Sequence, residues 1–91
     1  MANYSSPVRP VETVLIRRPW DTGFTPFKRA TTYARIQDGT FPPAVKVGRL
    51  SCWPAGELAS VNEALVQGKS DAEIRALVRD LVAQRTAGKG Q

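Results

Sequence analysis

The chain has 91 residues, with two tryptophans, three phenylalanines and two tyrosines, enough for one small domain with a modest core. One cysteine and no histidine exclude an intrachain disulfide, leave a zinc site without its ligands, and prevent the usual nucleophile–base pairs of enzymes from being assembled. The net charge of +5 is lopsided: residues 1–53 hold eight Lys/Arg against three Asp/Glu and residues 54–91 hold five of each, so the excess that suits a polyanion lies in the first part.

Residues 1–11 contain Ser5-Ser6-Pro7 and Arg9-Pro10, show no apolar periodicity, and read as a disordered arm. Thr13-Val14-Leu15-Ile16 is a β-branched run that predicts a short strand. Pro19 stops it and opens at most one helical turn over Trp20-Asp21-Thr22, which Gly23 ends. Thr25-Pro26, an N-cap followed by proline in the first turn, predicts a helix to about Asp38 with Gly39 as its stop. At about 100° per residue, Phe27, Ala30, Tyr33 and Ala34 share one face of this helix. Lys28, Thr31, Thr32 and Arg35 share the opposite face, and Ile36 falls between the two.

Thr40-Phe41-Pro42-Pro43 predicts an extended connector, because residues before proline avoid the helical region. Gly48-Arg49, set between the β-formers Ala44-Val45-Lys46-Val47 and Leu50-Ser51-Cys52-Trp53, predicts a hairpin with a type II′ turn. That register puts Val45, Val47, Leu50 and Cys52 on one face and Lys46 and Ser51 on the other, with Cys52 a core residue. Pro54 opens a second helix, with Leu58, Val61 and Leu65 at helical spacing and Gly68 as its stop. Ser70-Asp71-Ala72-Glu73 is a capping box for a third, to about Arg85, striped by Ile74, Leu77, Val78, Leu81 and Val82. That stripe suits packing on the chain's own core or docking on a neighbour. The expected organisation is an arm (1–11), a domain (12–68), a C-terminal helix (69–86) and a disordered tail (87–91).

The order strand, short helical turn, helix, hairpin, helix outlines an α+β fold, a small winged helix-turn-helix domain with a two- to three-stranded wing sheet and an additional C-terminal helix. In such a domain one helix enters the major groove and the hairpin reaches the backbone or the minor groove. Arg35 suits a guanine edge and Thr31 and Thr32 suit hydroxyl or methyl contacts, while Lys28 and Lys46 suit phosphates and Arg49, at the hairpin tip, suits phosphate or a narrow minor groove. Each feature alone also fits a solvated surface; their order in one short chain points to DNA.

Residues 28–39, then Thr-Phe-Pro-Pro-Ala-Val-Lys-Val-Gly and Trp53, resemble the AlpA-type regulator and excisionase family. The resemblance covers roughly residues 14–67 and is carried by Tyr33, Ile36, Gly39, Phe41, Pro42, Val45, Lys46, Val47, Gly48 and Trp53. It implies a winged helix-turn-helix that binds double-stranded DNA, with a recognition helix around Arg29 to Arg35 and a wing holding Lys46 and Arg49. The sequence departs from the pattern in the Pro19, Gly23 and Pro26 that punctuate the first helix, and in Thr32, where a large aliphatic residue is usual. The expected function is that of an excisionase, a non-enzymatic factor that bends attachment-site DNA for a tyrosine recombinase or similar integrase and self-associates on the duplex head-to-tail. The alternatives are a transcriptional regulator bound to one operator as a dimer, and a protein–protein adaptor. No cofactor or metal is expected, and no apolar run or leader pattern suggests a membrane partner, so the expected location is the cytoplasm, on the nucleoid.

Overall fold

The computed structural model describes residues 14–89, with side chains for residues 14–85. The predicted arm at 1–11 and the last two residues of the predicted tail lie outside the described residues. Seven elements follow in order: β1 (Leu15–Ile16), α1 (Pro19–Thr22), α2 (Arg29–Asp38), β2 (Val45–Val47), β3 (Leu50–Pro54), α3 (Ala55–Val66) and α4 (Asp71–Lys89). The strands form one antiparallel sheet in the order β1-β3-β2. This is an α+β winged helix-turn-helix whose wing sheet has three strands and whose last helix is the additional one.

The hairpin has the register its turn chemistry predicts, Val45 with Cys52, Lys46 with Ser51 and Val47 with Leu50. Gly48 has φ 61 and Arg49 does not have positive φ, as a type II′ turn requires. Toward the end of β3 both faces are covered: Cys52 is buried on one, as predicted, while Lys46 and Ser51 lie on the other, Lys46 exposed and Ser51 half-buried. Side chains alternate along β3, so Trp53 shares that face, and it pairs across the sheet with Ile16 of β1. Both are buried, whereas Val47 and Leu50 on the other face are exposed although Cys52 beside them is buried.

Trp53 is the centre of the first core cluster, with Ile16, Phe41, Ala55 and Leu58. Its indole N–H donates to the Pro42 carbonyl at 2.8 Å, which locks the Phe-Pro connector onto the sheet. Phe41, Tyr33 and Trp20 approach it edge-on or nearly so, with centroids 5.7 to 6.5 Å away. A second cluster joins Val61 and Ala64 of α3 to Ile74 and Val78 of α4. The apolar stripe of the last helix thus packs within the chain. Ser70 and Glu73 form the predicted capping box: the Ser70 amide donates to Glu73 Oε1 at 2.8 Å and the Glu73 amide to Ser70 Oγ at 3.2 Å. α4 runs to Lys89, past its predicted stop near Arg85, because Thr86 and Ala87 contain no breaker and one glycine does not end a helix.

α2 departs furthest from expectation. It begins at Arg29 instead of near Pro26, with Lys28 extended at the N-cap (φ −76, ψ 168). Thr25 is buried, and Phe27 lies before the helix and packs on the first cluster. Phe27 therefore cannot set the helix phase. Thr32 is buried and Ile36 half-buried, while Ala30, Tyr33 and Ala34 are exposed, so the burial does not follow the two predicted faces. Among the described residues no helix is long and apolar enough to cross a membrane.

Candidate nucleic-acid interface

An open cleft of about 680 Å³ lies between the turn that joins β1 to α1, the start of α2, and the hairpin tip. Arg17 and Arg18 line it from the turn, Lys28 and Arg29 from the start of α2, and Arg49 from the hairpin. Asp21 is the one acid among the described residues that line it. Five cations from three separate segments thus converge on one concave surface, where their fields add and attract a polyanion.

Aromatic rings form the floor. Trp20 and Tyr33 sit with centroids 5.5 Å apart, above the buried Trp53. The Arg29 guanidinium lies 6.0 Å from the Trp20 ring and 5.7 Å from the Tyr33 ring. The quadrupoles of two neighbouring rings attract the cation and hold a long side chain at the cleft surface without neutralising it. Tyr33, which the pattern groups with Phe27, Ala30 and Ala34, belongs to this floor.

The contacts of α2 and the sheet decide which predicted residues meet. Arg75 of α4 donates to the Asp38 carbonyl at 2.9 Å, and Asn62 of α3 donates to the Phe24 carbonyl at 2.8 Å. These bonds fix the far end of α2 and the connector before it, so the N-terminal turn of α2 is presented at the cleft. Lys28, Arg29 and Arg49 are brought together there. Lys46 stands beside them, its ammonium donating at 2.7 Å to Ser51 Oγ, which itself lines the cleft.

Three predicted residues are not brought to the cleft. Thr31 is exposed but lies round the helix from it. Thr32 is fully buried, with its hydroxyl donating to the Lys28 carbonyl at 2.9 Å, so it cannot touch a ligand. Arg35 is half-buried, its guanidinium 4.4 Å from the Phe27 ring centroid, and it lies against that ring and not in the cleft. The outermost line of α2 is Ala30, Ala34 and Gln37, all exposed.

Arg17 and Arg18 are the cleft cations that sequence reasoning missed, as it missed Trp20 and Tyr33 of the floor. The signal of the two arginines was the Arg-Arg pair directly before Pro19, which reads only as the end of a strand until the direction of the turn is known.

A family model described as prophage CP4-57 regulatory protein (AlpA) matches residues 15–60. The match spans β1, α1, α2, the hairpin and the first half of α3, which are the elements that build and support the cleft. No curated protein and no solved structure matches the chain.

Proposed function

The chain belongs to the AlpA family of prophage regulatory proteins, which bind DNA, and on that premise we propose that it acts as an excisionase. In this reading it binds adjacent sites in the attachment region of a mobile element, bends the duplex, and directs a tyrosine recombinase toward excision. The reading is carried by the cleft with cations on both walls, a shape that admits one backbone strand between the start of α2 and the hairpin. Lys28, Lys46 and Arg49 then take phosphates, and Arg29, braced by two rings, reaches a guanine edge or its neighbouring phosphate. The line Ala30, Ala34 and Gln37 faces the major groove: two small side chains let the helix approach closely, alanine methyls suit thymine methyls, and a glutamine suits adenine.

The packing of α4 supports multiple adjacent binding over a symmetric dimer. Ile74 and Val78 are buried against α3 of the same chain, so the stripe that a dimer would use is already covered. Contacts between neighbours on a bent duplex would instead be small and would form on DNA, where bending energy is offset by several bound copies. One observation favours the second reading, a regulator on a single operator: the paired Val47 and Leu50 leave exposed apolar surface at the hairpin, suited to a small isologous contact.

Footprinting on attachment-site DNA separates the two. Long protection with a helical repeat, growing cooperatively with protein concentration, is the expected result; one palindromic site would support the operator reading. Arg29→Ala should weaken specific binding more than nonspecific binding. Lys46→Ala should weaken both and flatten the salt slope by about one. Duplex affinity that does not depend on salt would overturn DNA binding through this cleft.

A further inference from the structure

We propose that Arg17 and Arg18, with Arg49 opposite, form a phosphate clamp that grips one sugar–phosphate strand, and that Arg18 keeps an unfavourable backbone conformation for this purpose. The clamp rests on the DNA-binding reading above and adds to it the wall of the cleft made by the β1–α1 turn.

Successive residues of a strand point to opposite faces. Ile16 turns into the core, so a continued strand would send Arg17 outward and Arg18 inward. Instead Arg18 adopts φ 53 and ψ 60, and among the described residues it is the one non-glycine with positive φ. This left-handed residue redirects the chain into α1, and both arginines line the cleft. Glycine would occupy the position without the clash of a Cβ, and asparagine with little.

The contacts that hold the turn are mostly backbone contacts. The Asp21 amide donates to the Arg18 carbonyl at 2.8 Å, and Thr22 Oγ1 donates to the same carbonyl at 3.2 Å. The Arg18 side chain adds a 3.6 Å approach to the Asp21 carboxylate, and it remains 69% exposed. A solvated ion pair of this kind contributes little to stability. The fold therefore makes small use of the guanidinium, although the backbone beneath it is strained, and strain kept without structural benefit points to binding.

Arg49 approaches from the facing wall on the glycine turn of the hairpin. Planar guanidinium forks on two short, well-tethered turns suit the non-bridging oxygens of a phosphodiester. A free phosphate shares that chemistry. The open form of the cleft and the cations spread along it favour a continuing strand.

The test compares the wild-type chain with Arg18→Gly, Arg18→Asn, Arg17→Ala and Arg79→Ala, the last removing the same charge from the exposed surface of α4. Anisotropy of a labelled duplex is followed over a range of KCl concentrations, with thermal unfolding measured alongside. Arg18→Gly should melt at or above the wild-type temperature, lose about three- to tenfold in affinity, and lose about 0.9 in salt slope. Arg17→Ala should weaken binding in the same way and Arg79→Ala should not. Wild-type affinity and slope in Arg18→Gly would overturn the clamp. So would a parallel fall of melting temperature and affinity in both the glycine and the asparagine variants, since the arginine would then serve the fold. Displacement of the duplex by millimolar inorganic phosphate at constant ionic strength would overturn the assignment of the ligand to a strand. A wild-type chain that binds no duplex would instead remove the DNA reading on which the clamp depends.

Discussion

Thr32 sits in the core, its hydroxyl bonded to a Lys28 carbonyl that the Thr32 amide already satisfies at 2.8 Å. Replacing the hydroxyl by a methyl removes a bond but leaves no buried group unpaired, and it removes the cost of burying a polar atom. Thr32→Val should therefore leave stability unchanged or raise it by up to about 1 kcal/mol in denaturant unfolding, with DNA affinity unaltered. A loss of sequence preference in this variant would restore Thr32 to the binding face. Arg35→Ala offers the contrast. It uncovers Phe27 and removes a close cation–ring contact, so it should lower stability by about 1 kcal/mol without changing which sequence is bound. These two residues were illegible in the sequence for one physical reason. Periodicity sorts side chains by polarity, but a threonine that bonds back to its own helix behaves as an apolar residue, and an arginine can cover a ring with its stem and plane.

At the scale of elements, legibility followed how local the cause was. Gly48-Arg49 determines its own turn, and the turn determines the pairing from Val45 to Cys52, so the hairpin register could be read from ten residues. Cys52 is buried as the local pattern predicts, but the burial of Trp53 on the opposite face depends on the Ile16–Trp53 pairing, a contact between distant segments that the local pattern does not contain. The start of α2 was hidden in the same way, because Phe27 is held by tertiary packing outside the helix. The cap of α4 was fully legible, and it makes a prediction in pH. The hydrogen bonds from the Ser70 amide and hydroxyl group hold the Glu73 carboxyl below its ordinary value of 4.5. A carboxyl whose folded pKa is depressed contributes stability above its unfolded pKa, and loses it as pH falls through the folded value. Ser70→Ala should lower the melting temperature at neutral pH, and the gap to wild type should narrow as pH is taken below 4.5. Melting curves across that range check this; a gap independent of pH would show that the Ser70 hydroxyl does not hold the carboxylate, since the backbone amide bond to Glu73 survives in the variant.

For the molecule as a whole, the family match ends at residue 60, but the core does not. Val61 and Ala64 of α3 are covered by Ile74 and Val78, and Arg85 donates to both Glu57 carboxylate oxygens and to the Pro43 carbonyl. Glu57 is itself buried, so removing Arg85 strands a carboxylate beside the connector that positions the hairpin. α4 also holds the far end of α2 through the bond from Arg75 to Asp38. Each side of the cleft is thus steadied from the helix that lies outside the match. A chain ending at Gly68 would expose Val61 and leave Glu57 unpaired, a loss on the order of 5 kcal/mol with the burial of Ile74 and Val78 included. Small domains have total stabilities of about 5–15 kcal/mol, so little would remain. The shortened chain should show no cooperative thermal transition, and its duplex affinity should fall with its structure. Should it melt cooperatively near the full-length temperature and bind DNA as tightly, α4 would be an appendage, and its stripe would become available to a neighbouring copy on the duplex.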